Sequence, residues 1–259
     1  MSGKRILFIN PGDTGQELDD FMAGFLNNLK GPGTEQVDVK SLKNAPKHLE
    51  HHYYEALIAQ DTLKMVKEAE NDGYDAAVIG CFYDPFLDVA KEICTKMVVT
   101  APAQASMHLA ATIANTFSII VGRNKWIPQM KENVTKYGFK DHLASFCSLD
   151  LGVLDFQADV HRTEQRMRDA VQKAITEDRA EAVILGCTME FGFFRKLQEE
   201  FGIPIIDCSV AALKYAEYLA EVRDVCGWNT SKIGGFESPA LGELDGWGVG
   251  KRYGVEGLF

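Results

Sequence analysis

Residues 73–85 have the sequence GYDAAVIGCFYDP. The apolar, β-branched run at its centre is typical of a short strand buried on both faces, as strands of parallel sheets are. Gly80 and Cys81 follow where this strand should end, and Asp84 and Pro85 then predict the N-cap and first residue of a helix. A thiol is therefore predicted at the carboxyl end of a parallel strand, near the start of a helix. Open α/β sheets bind ligands there, and a helix N-terminus lowers a thiol pKa.

The same arrangement occurs again at residues 179–190, RAEAVILGCTME. Residues 75–81 align with residues 181–187 without a gap, so Cys187 stands 106 positions after Cys81 (187 − 81). A separation of this size corresponds to about one small α/β domain. Two matching segments predict a duplicated architecture with one thiol on each half.

Strand and helix patterns alternate through both halves of the chain. Strands are predicted at residues 5–10, 36–40, 97–100, 117–121, 146–149 and 203–207, besides those before the two cysteines, with 36–40 and 146–149 as edge strands. Helices are predicted at residues 14–29, 48–69, 86–92, 104–114, 130–136, 165–177 and 210–222. The alternation predicts parallel sheets with helices on their faces. The segment after Cys226 lacks periodicity, and its aromatic residues predict that it packs on the body of the protein.

Composition and charge narrow the class of protein. The chain has 259 residues, of which 46% are hydrophobic and 25% charged, as in soluble globular proteins. Its net charge of −10 argues against a nucleic-acid-binding surface. The first apolar run ends at Asn10 and Pro11 and predicts a strand rather than a signal peptide, and no run is long enough to span a membrane. We therefore expect a cytoplasmic protein with neither a nucleic-acid nor a membrane partner.

The cysteines and histidines give little support to other kinds of site. None of the six cysteines forms a Cys-x-x-Cys pair, so neither a disulfide framework nor a structural zinc site is predicted. The four besides Cys81 and Cys187 are expected to be small buried residues. Residues 48–52, HLEHH, lack the His-Glu-x-x-His spacing, so no metal site is predicted. A dinucleotide-binding enzyme is disfavoured because no Gly-x-Gly-x-x-Gly follows the first strand.

Residues 80–85, GCFYDP, and residues 185–188, LGCT, resemble the aspartate/glutamate/hydantoin racemase superfamily. The first segment is closest to the hydantoin and allantoin racemase branch, and residues 9–11, 105–108 and 230–232 also look like that branch. The likeness extends over essentially the full chain. It implies two pseudo-symmetric, flavodoxin-like α/β domains that face each other across a cleft, no cofactor, and a homo-oligomer. The domains would be residues 1–100 with 208–259, carrying Cys81, and residues 101–207, carrying Cys187.

Two thiols suit the chemistry of a racemase. Inverting a stereocentre next to a carbonyl requires a base on one face of the carbon and an acid on the other, and positioned side chains accelerate such proton transfers by about 10²–10⁴. We therefore predict Cys81 and Cys187 as the catalytic residues. The intermediate is an enolate, whose oxygen needs hydrogen-bond donors. Strand ends and helix N-termini supply backbone N–H groups, and Thr188 and Asn10 could add side-chain donors.

The predicted substrate-binding residues lie beside a strand end or after Pro102, which separates the strand at residues 97–100 from the helix at residues 104–114. They are Asn10, Phe82, Tyr83, Ser106, Met107, Gly122, Arg123, Thr188 and Met189. Structural roles are the alternatives for several of them. Asn10 would then be a turn residue, Thr188 a helix cap, and Ser106 and Met107 the start of a helix.

Four polar or bulky residues near the motifs bear on specificity. Asp84 either tunes the Cys81 thiol or caps the helix predicted at Pro85, and the cap is favoured. Glu190 either belongs to the site or complements a helix N-terminus. Arg123 would pair with a substrate carboxylate if it pointed into the cleft, and is otherwise a solvated loop cation. Tyr83 stands where the branch usually has glycine, so it would reshape the pocket beside Cys81.

The favoured hypothesis is a cofactor-independent racemase acting on a 5-substituted hydantoin or a related ureide. The first alternative is a cis-trans isomerase resembling maleate isomerase, in which one thiol attacks a double bond. An aryl malonate decarboxylase, which needs a single thiol, is a further alternative. A non-enzymatic small-molecule-binding protein is less favoured, because paired Gly-Cys elements are unnecessary for binding.

Overall fold

The computed structural model of the chain describes residues 3–258. Its contacts divide the chain into two compact units. The first unit contains the chain up to Ile79, Pro85–Thr100 and the chain from Leu213 onward, and the second contains Gly80–Asp84 and Ala101–Ala212. These boundaries differ from the predicted domains, because the residues around Cys81 group with the second unit rather than the first. Cys81 and Cys187 therefore lie in the same unit.

The first unit contains a four-stranded parallel sheet. Its strands are β1 (Lys4–Asn10), β2 (Thr34–Ser41), β3 (Ala76–Ile79) and β4 (Val98–Thr100), in the order β2-β1-β3-β4. The central strand β3 is buried at every position, as its apolar sequence predicts. Strand β2 lies at the edge, with Val37 and Val39 buried and Gln36 and Lys40 exposed. The predicted edge strand is thus confirmed.

Four helices lie in the part of this unit before residue 100, and three of them begin later than predicted. The helices are α1 (Gln16–Asn27), α2 (His52–Leu57), α3 (Ala59–Asn71) and α4 (Leu87–Ile93). The predicted helix 48–69 is in fact two helices, α2 and α3, separated at Ile58, and α2 begins only at His52 because the backbone at His51 is extended. The helix predicted from Pro85 begins only at Leu87, since Asp84 and Phe86 have φ angles of +48° and +58°. Such left-handed residues are incompatible with a right-handed helix.

The second unit repeats this architecture. Its strands are β5 (Phe117–Val121), β6 (Leu143–Ser148), β7 (Ala182–Leu185) and β8 (Ile205–Asp207), in the order β6-β5-β7-β8, and all are parallel. Its helices are α5 (Pro102–Ile113), α6 (Ile127–Lys136), α7 (Val160–Thr176) and α8 (Phe194–Phe201). The predicted α/β class with two pseudo-symmetric parallel sheets is confirmed.

The core of the second unit lies between its sheet and its helices. Ile119 and Val183, from the central strands, are fully buried there. Helix α7 contributes Met167, Val171 and Ala174, whose spacing of three to four residues places them on one face. Cys81 and Cys187 are both partly buried against this same core. The packing of the second unit therefore fixes the positions of both cysteines.

Helix α9 (Cys208–Cys226) precedes the C-terminal segment, which contains the short helices α10 (Glu243–Gly246) and α11 (Gly250–Tyr253). Polar contacts anchor this segment, since the ammonium of Lys232 donates to the carbonyls of Lys91 and Glu92. The indoles of Trp228 and Trp247 are 71% and 65% exposed, so the prediction that its aromatic residues pack on the body is wrong for these two. None of the helices described is long and apolar enough to cross a membrane.

Candidate active site

The two cysteines occupy equivalent positions in the duplicated topology. Cys81 is the second residue after β3, and Cys187 is the second residue after β7. Strand β3 lies next to β1, and β7 lies next to β5, in the orders β2-β1-β3-β4 and β6-β5-β7-β8. In each sheet this is the point where the strand order reverses. Ligands of open α/β sheets bind at that point. The sequence predicted both positions correctly.

Exposure separates these two thiols from the other four. All six cysteines carry reduced thiols, and Cys81 and Cys187 are the partly exposed ones. Three others are buried as predicted, namely Cys94, Cys147 and Cys208, but Cys226 is exposed, contrary to the prediction. Cys226 ends helix α9, where the chain turns away into the C-terminal segment.

The glycine before Cys187 is required by the pairing of two strands. The N–H of Gly186 donates to the carbonyl oxygen of Ile120 at 2.8 Å. A Cβ atom on Gly186 would lie 2.6 Å from that oxygen and 2.8 Å from the Ile119 side chain. Only glycine permits this approach, which extends the pairing of β5 and β7 up to the residue before the thiol.

Residues Gly80–Asp84 form a tight turn, the Cys81 turn. The N–H of Asp84 donates to the carbonyl of Cys81 at 2.9 Å. The Asp84 carboxyl accepts hydrogen bonds from the N–H groups of Ala103 and Gln104 and from the hydroxyl of Tyr137, each at 2.8 Å. Asp84 thus caps α5, and the prediction that it caps the helix following Pro85 is wrong. These bonds explain why the turn groups with the second unit.

The two aromatic residues of the Cys81 turn are held inside the second unit. Phe82 is 2% exposed and Tyr83 is 8% exposed, and both belong to its hydrophobic core. The side-chain amide of Asn133 on α6 donates to the carbonyl of Tyr83 at 2.7 Å. The burial of both rings supports a packing role. Their predicted contact with a substrate stays a prediction.

Residues Cys187–Glu190 form the second turn, the Cys187 turn. A 3₁₀ turn at Thr188–Glu190 replaces the helix predicted after this cysteine, and α8 begins only at Phe194. Gly192, with a φ angle of +89°, separates the two. The N–H of Glu190 donates to the carbonyl of Cys187 at 2.9 Å, and the N–H of Cys187 donates to Glu190 Oε2 at 3.2 Å. Glu190 therefore closes this turn.

The two turns are in direct contact. The hydroxyl of Thr188 donates to the carbonyl oxygen of Gly80 at 3.1 Å, and this hydrogen bond is buried. The carbonyl of Thr188 accepts from the hydroxyl of Ser209 at 3.4 Å. Residues 108 positions apart in the sequence, each adjacent to one of the cysteines, thus touch. The single hydroxyl proton of Thr188 is consequently used within the protein.

Comparison with known proteins identifies the family. The profile of the family described as Asp/Glu/Hydantoin racemase matches residues 6–216. The chain belongs to this family.

Relatives and solved structures agree with this assignment. Hydantoin racemase of Paenarthrobacter aurescens is 34% identical over 236 residues, covering 91% of this chain and 97% of that protein. Hydantoin racemase of Pseudomonas sp. (strain NS671) is 33% identical, with 82% and 83% covered. The structure of allantoin racemase from Klebsiella pneumoniae superposes with a TM-score of 0.84 at 30% identity, covering 92% of this chain and 94% of the other. The predicted family and the predicted class of enzyme, an isomerase, are confirmed.

Buried acids surround the Cys187 turn of this racemase-family protein. Burial raises the pKa of the Glu190 carboxyl well above its ordinary value, and the nearby charge of Asp207 raises it further. Burial likewise raises the pKa of Asp207 to about 6, although the N–H groups of Gly192, Val210 and Ser209 donate to it and oppose the shift. The pKa of the buried Cys208 thiol also lies well above its ordinary value. Burial and the neighbouring Asp207 therefore both favour the protonated form of the Glu190 carboxyl.

Helix α5 carries two of the predicted substrate-binding residues, and both are completely buried. Met107 belongs to the core of the second unit. The hydroxyl of Ser106 has no hydrogen-bond partner among residues 3–258. Helix α5 starts at Pro102, so both residues lie within the helix and not at its start.

Three further predicted residues follow β5 or lie in the Cys187 turn. A Cβ on Gly122 would lie 2.3 Å from the Trp126 ring and 2.4 Å from the carbonyl of Leu151, so packing alone accounts for this glycine. Arg123 is exposed and precedes a 3₁₀ turn. Met189 is half-buried, and its carbonyl accepts from a side-chain amide. Contact of these residues with a substrate remains a prediction.

Asn10, the last predicted residue, belongs to the first unit. It ends β1, and its side-chain amide donates to Asp19 Oδ1 at 2.7 Å and to the hydroxyl of Thr14 at 3.4 Å. These bonds support the structural alternative, in which Asn10 fixes the turn before α1. Within residues 3–258, no group of His, Cys, Asp and Glu side chains is arranged to hold a metal ion.

Sequence reasoning missed the residues that support the Cys81 turn. Asn133 on α6 and Tyr137 directly after α6 lie about fifty positions after the residues that they bind. No local pattern marks such a contact. Glu190, the partner of Cys187, was easier to predict from the sequence. It is three positions away, which is the separation typical of a capping turn.

Proposed function

We propose that the protein is a cofactor-independent racemase that inverts the carbon next to a carbonyl in a 5-substituted hydantoin or a related cyclic ureide. Its relatives are named hydantoin racemases and allantoin racemases. The hydrogen bond between Thr188 and Gly80 carries the proposal, because it joins the two Gly-Cys segments. Both thiols are also partly exposed, as a substrate would require.

In the proposed mechanism, the two thiols act on opposite faces of one carbon. One of them, as the thiolate, removes the proton of the ring carbon, and the other, as the thiol, delivers a proton to the opposite face. The roles of Cys81 and Cys187 exchange when the other enantiomer is the substrate. The electron pair left by the departing proton is delocalised onto the adjacent carbonyl, and the carbanion is thus an enolate.

Backbone N–H groups are the proposed donors to that enolate. The hydroxyl of Thr188 already donates to Gly80, and the amide of Asn10 already donates to Asp19 and Thr14. The N–H groups of Phe82 and Thr188, each directly after a cysteine, donate no hydrogen bond within the described part of the chain. Preorganised donors of this kind typically contribute about 10²–10³ in rate each.

Chiral chromatography tests the proposal directly. A single enantiomer of a 5-substituted hydantoin should racemise with the wild-type protein near neutral pH. Cys81→Ser and Cys187→Ser should each lower kcat by at least about 10³, because a hydroxyl neither ionises nor transfers the proton under these conditions. Cys226→Ser, at an exposed position outside the second unit, is the matched control and should retain full activity.

Full activity of Cys81→Ser or of Cys187→Ser would overturn the assignment of the two cysteines as catalytic residues. Circular dichroism and a urea titration establish that each variant is folded. Maleate and an aryl malonate, assayed in parallel, test the two alternative reactions. Conversion of either compound without racemisation of the hydantoin would overturn the proposed substrate class.

We also propose that the protein forms a homo-oligomer. Four large apolar side chains of the C-terminal segment are between 65% and 91% exposed, namely Trp228, Ile233, Leu241 and Trp247, and an interface in an oligomer would cover them. Light scattering after size-exclusion chromatography should give a mass of at least twice 28.7 kDa. A monomer at micromolar concentration would contradict this proposal. The cytoplasmic location stays a prediction from the sequence.

A further inference from the structure

Glu190 is a completely buried carboxyl next to Cys187 to which the proposed mechanism assigns no role. Its Oε2 atom accepts the hydrogen bond from the N–H of Cys187 at 3.2 Å. Its own N–H donates to the carbonyl of Cys187, so two hydrogen bonds join the same pair of residues. The Oε1 atom is buried and has no hydrogen-bond partner among residues 3–258. An orphaned carboxyl oxygen is costly in a protein interior, so a role for it is expected.

We propose that Glu190 is a positioning residue for Cys187, and that it holds the backbone of Cys187 in place as a neutral acid rather than as a carboxylate. The inference rests on the proposed function, in which Cys187 transfers a proton. The hydrogen bond to the Cys187 N–H fixes the orientation of the residue that carries the thiol. An error of 1 Å in the position of such a group can lower a rate about 100-fold.

The surroundings of Glu190 favour the neutral form. The titratable groups that face it are Asp207 at the end of β8, Cys208 at the start of α9 and Cys187 of its own turn. All three are acids, and the Asp84 carboxyl is close enough to act on Cys208 as well. A second buried negative charge among them would be unfavourable. Burial, which raises the pKa of Glu190 well above its ordinary value, acts in the same direction.

The neutral form has a consequence for the thiol. A carboxylate beside Cys187 would disfavour the thiolate and raise the pKa of the thiol, whereas a neutral acid does not. Glu190 thus orders the Cys187 turn without opposing the ionisation that proton abstraction requires.

Two substitutions separate the parts of this proposal. Glu190→Gln keeps an oxygen acceptor for the Cys187 N–H and is always neutral, so kcat should stay within about threefold of wild type. Glu190→Ala removes the acceptor, so kcat should fall about 10-fold to 100-fold while KM changes less than threefold. Glu199→Ala, an exposed glutamate on α8, is the matched control and should leave both constants unchanged.

Alkylation by iodoacetamide in the Cys81→Ser background reports the ionisation of Cys187 without any turnover. The rate at Cys187 is followed by peptide mass spectrometry from pH 5 to pH 9. It should titrate at the same pH, within about 0.3 pH units, whether Glu190 is retained or replaced in the Glu190→Gln variant. If Glu190 were ionised, the amide variant would titrate about one pH unit lower or more, and that result would overturn the neutral-acid proposal.

An unchanged kcat in Glu190→Ala would overturn the positioning role. If the alanine variant does not fold, the comparison of the glutamine variant with wild type still decides the protonation state. Failure of the proposed function would appear differently. The wild-type protein would racemise no hydantoin, while alkylation of Cys187 in the Cys81→Ser background would still show the expected profile.

Discussion

The two cysteine turns come after strands of nearly the same sequence but are held in different ways. The Cys81 turn is fixed from outside, by hydrogen bonds from α5, from Asn133 on α6 and from Tyr137 directly after α6. In the Cys187 turn the corresponding carboxyl acts within the turn, since Glu190 accepts from the Cys187 N–H three residues away, while Ser209 and Gln157 donate to the carbonyls of Thr188 and Met189 from outside. The strand and the Gly-Cys pair thus determine where a thiol is placed. The residues after the cysteine determine how the thiol is held.

This difference gives different roles to two acidic residues that have the same sequence separation from their cysteines. Asp84 and Glu190 both stand three positions after a cysteine. The Asp84 carboxyl accepts hydrogen bonds from the remote helix α5, whereas the Glu190 carboxyl accepts one from its own turn. Damage to the first turn should therefore reduce the stability of the whole unit, while damage to the second should act mainly on catalysis.

The largest effect is expected from Asp84→Ala. The substitution leaves two N–H groups at the start of α5 and the hydroxyl of Tyr137 without their acceptor. The loss of a helix cap together with unsatisfied donors should lower the free energy of unfolding by about 4 kcal/mol. Urea denaturation measures it. Asp141→Ala, at an exposed position of the same unit, should change it by less than about 0.5 kcal/mol, and equal effects of the two variants would contradict the role of Asp84.

A smaller and pH-dependent effect is expected from Asp207. Burial raises its pKa from 3.8 in the unfolded chain to about 6 in the folded protein. Between these values the folded protein keeps a proton that the unfolded chain releases, so this group makes the free energy of unfolding fall as the pH rises. The total fall is about 3 kcal/mol, because a difference of one between the two pKa values corresponds to about 1.4 kcal/mol.

Asp207→Asn removes this dependence. Urea denaturation from pH 4 to pH 7 should show the wild type losing stability relative to the variant by about that amount. Asp169→Asn, an exposed residue on α7, is the control and should run parallel to the wild type. A wild type that gains stability relative to Asp207→Asn across this range would show that the pKa of Asp207 is lowered instead.

The smallest of these effects is expected from Thr188→Val, which breaks the contact between the turns. Valine keeps the shape of threonine but cannot donate to the carbonyl of Gly80. The free energy of unfolding should fall by about 1 kcal/mol, the usual worth of one hydrogen bond, and kcat should fall about 10-fold. The control is Thr112→Val on the exposed face of α5. Unchanged kinetics in Thr188→Val would mean that the two turns keep their positions without this bond.

Much of the fold was predictable because local patterns specify it. The strand at Phe117–Val121 was predicted at its observed bounds, and the apolar runs before both cysteines are central strands. The helix after Asp84 was mispredicted, since the sequence Asp-Pro is typical of a helix start while the left-handed residues Asp84 and Phe86 prevent one. Only the tertiary structure shows that Asp84 is used by another helix. The burial of Glu190 likewise depends on the packing of the unit.

The central claim is that two thiols act on one carbon from opposite faces, and isotope exchange tests it most directly. A single enantiomer of a 5-substituted hydantoin is incubated with the wild-type protein in D₂O, at a pH where an enzyme-free control shows negligible exchange. Early in the reaction, NMR and chiral chromatography should find deuterium on the ring carbon of the product enantiomer and protium in the remaining substrate. Deuterium that enters both enantiomers equally from the start, or a product without deuterium, would contradict the two-thiol account.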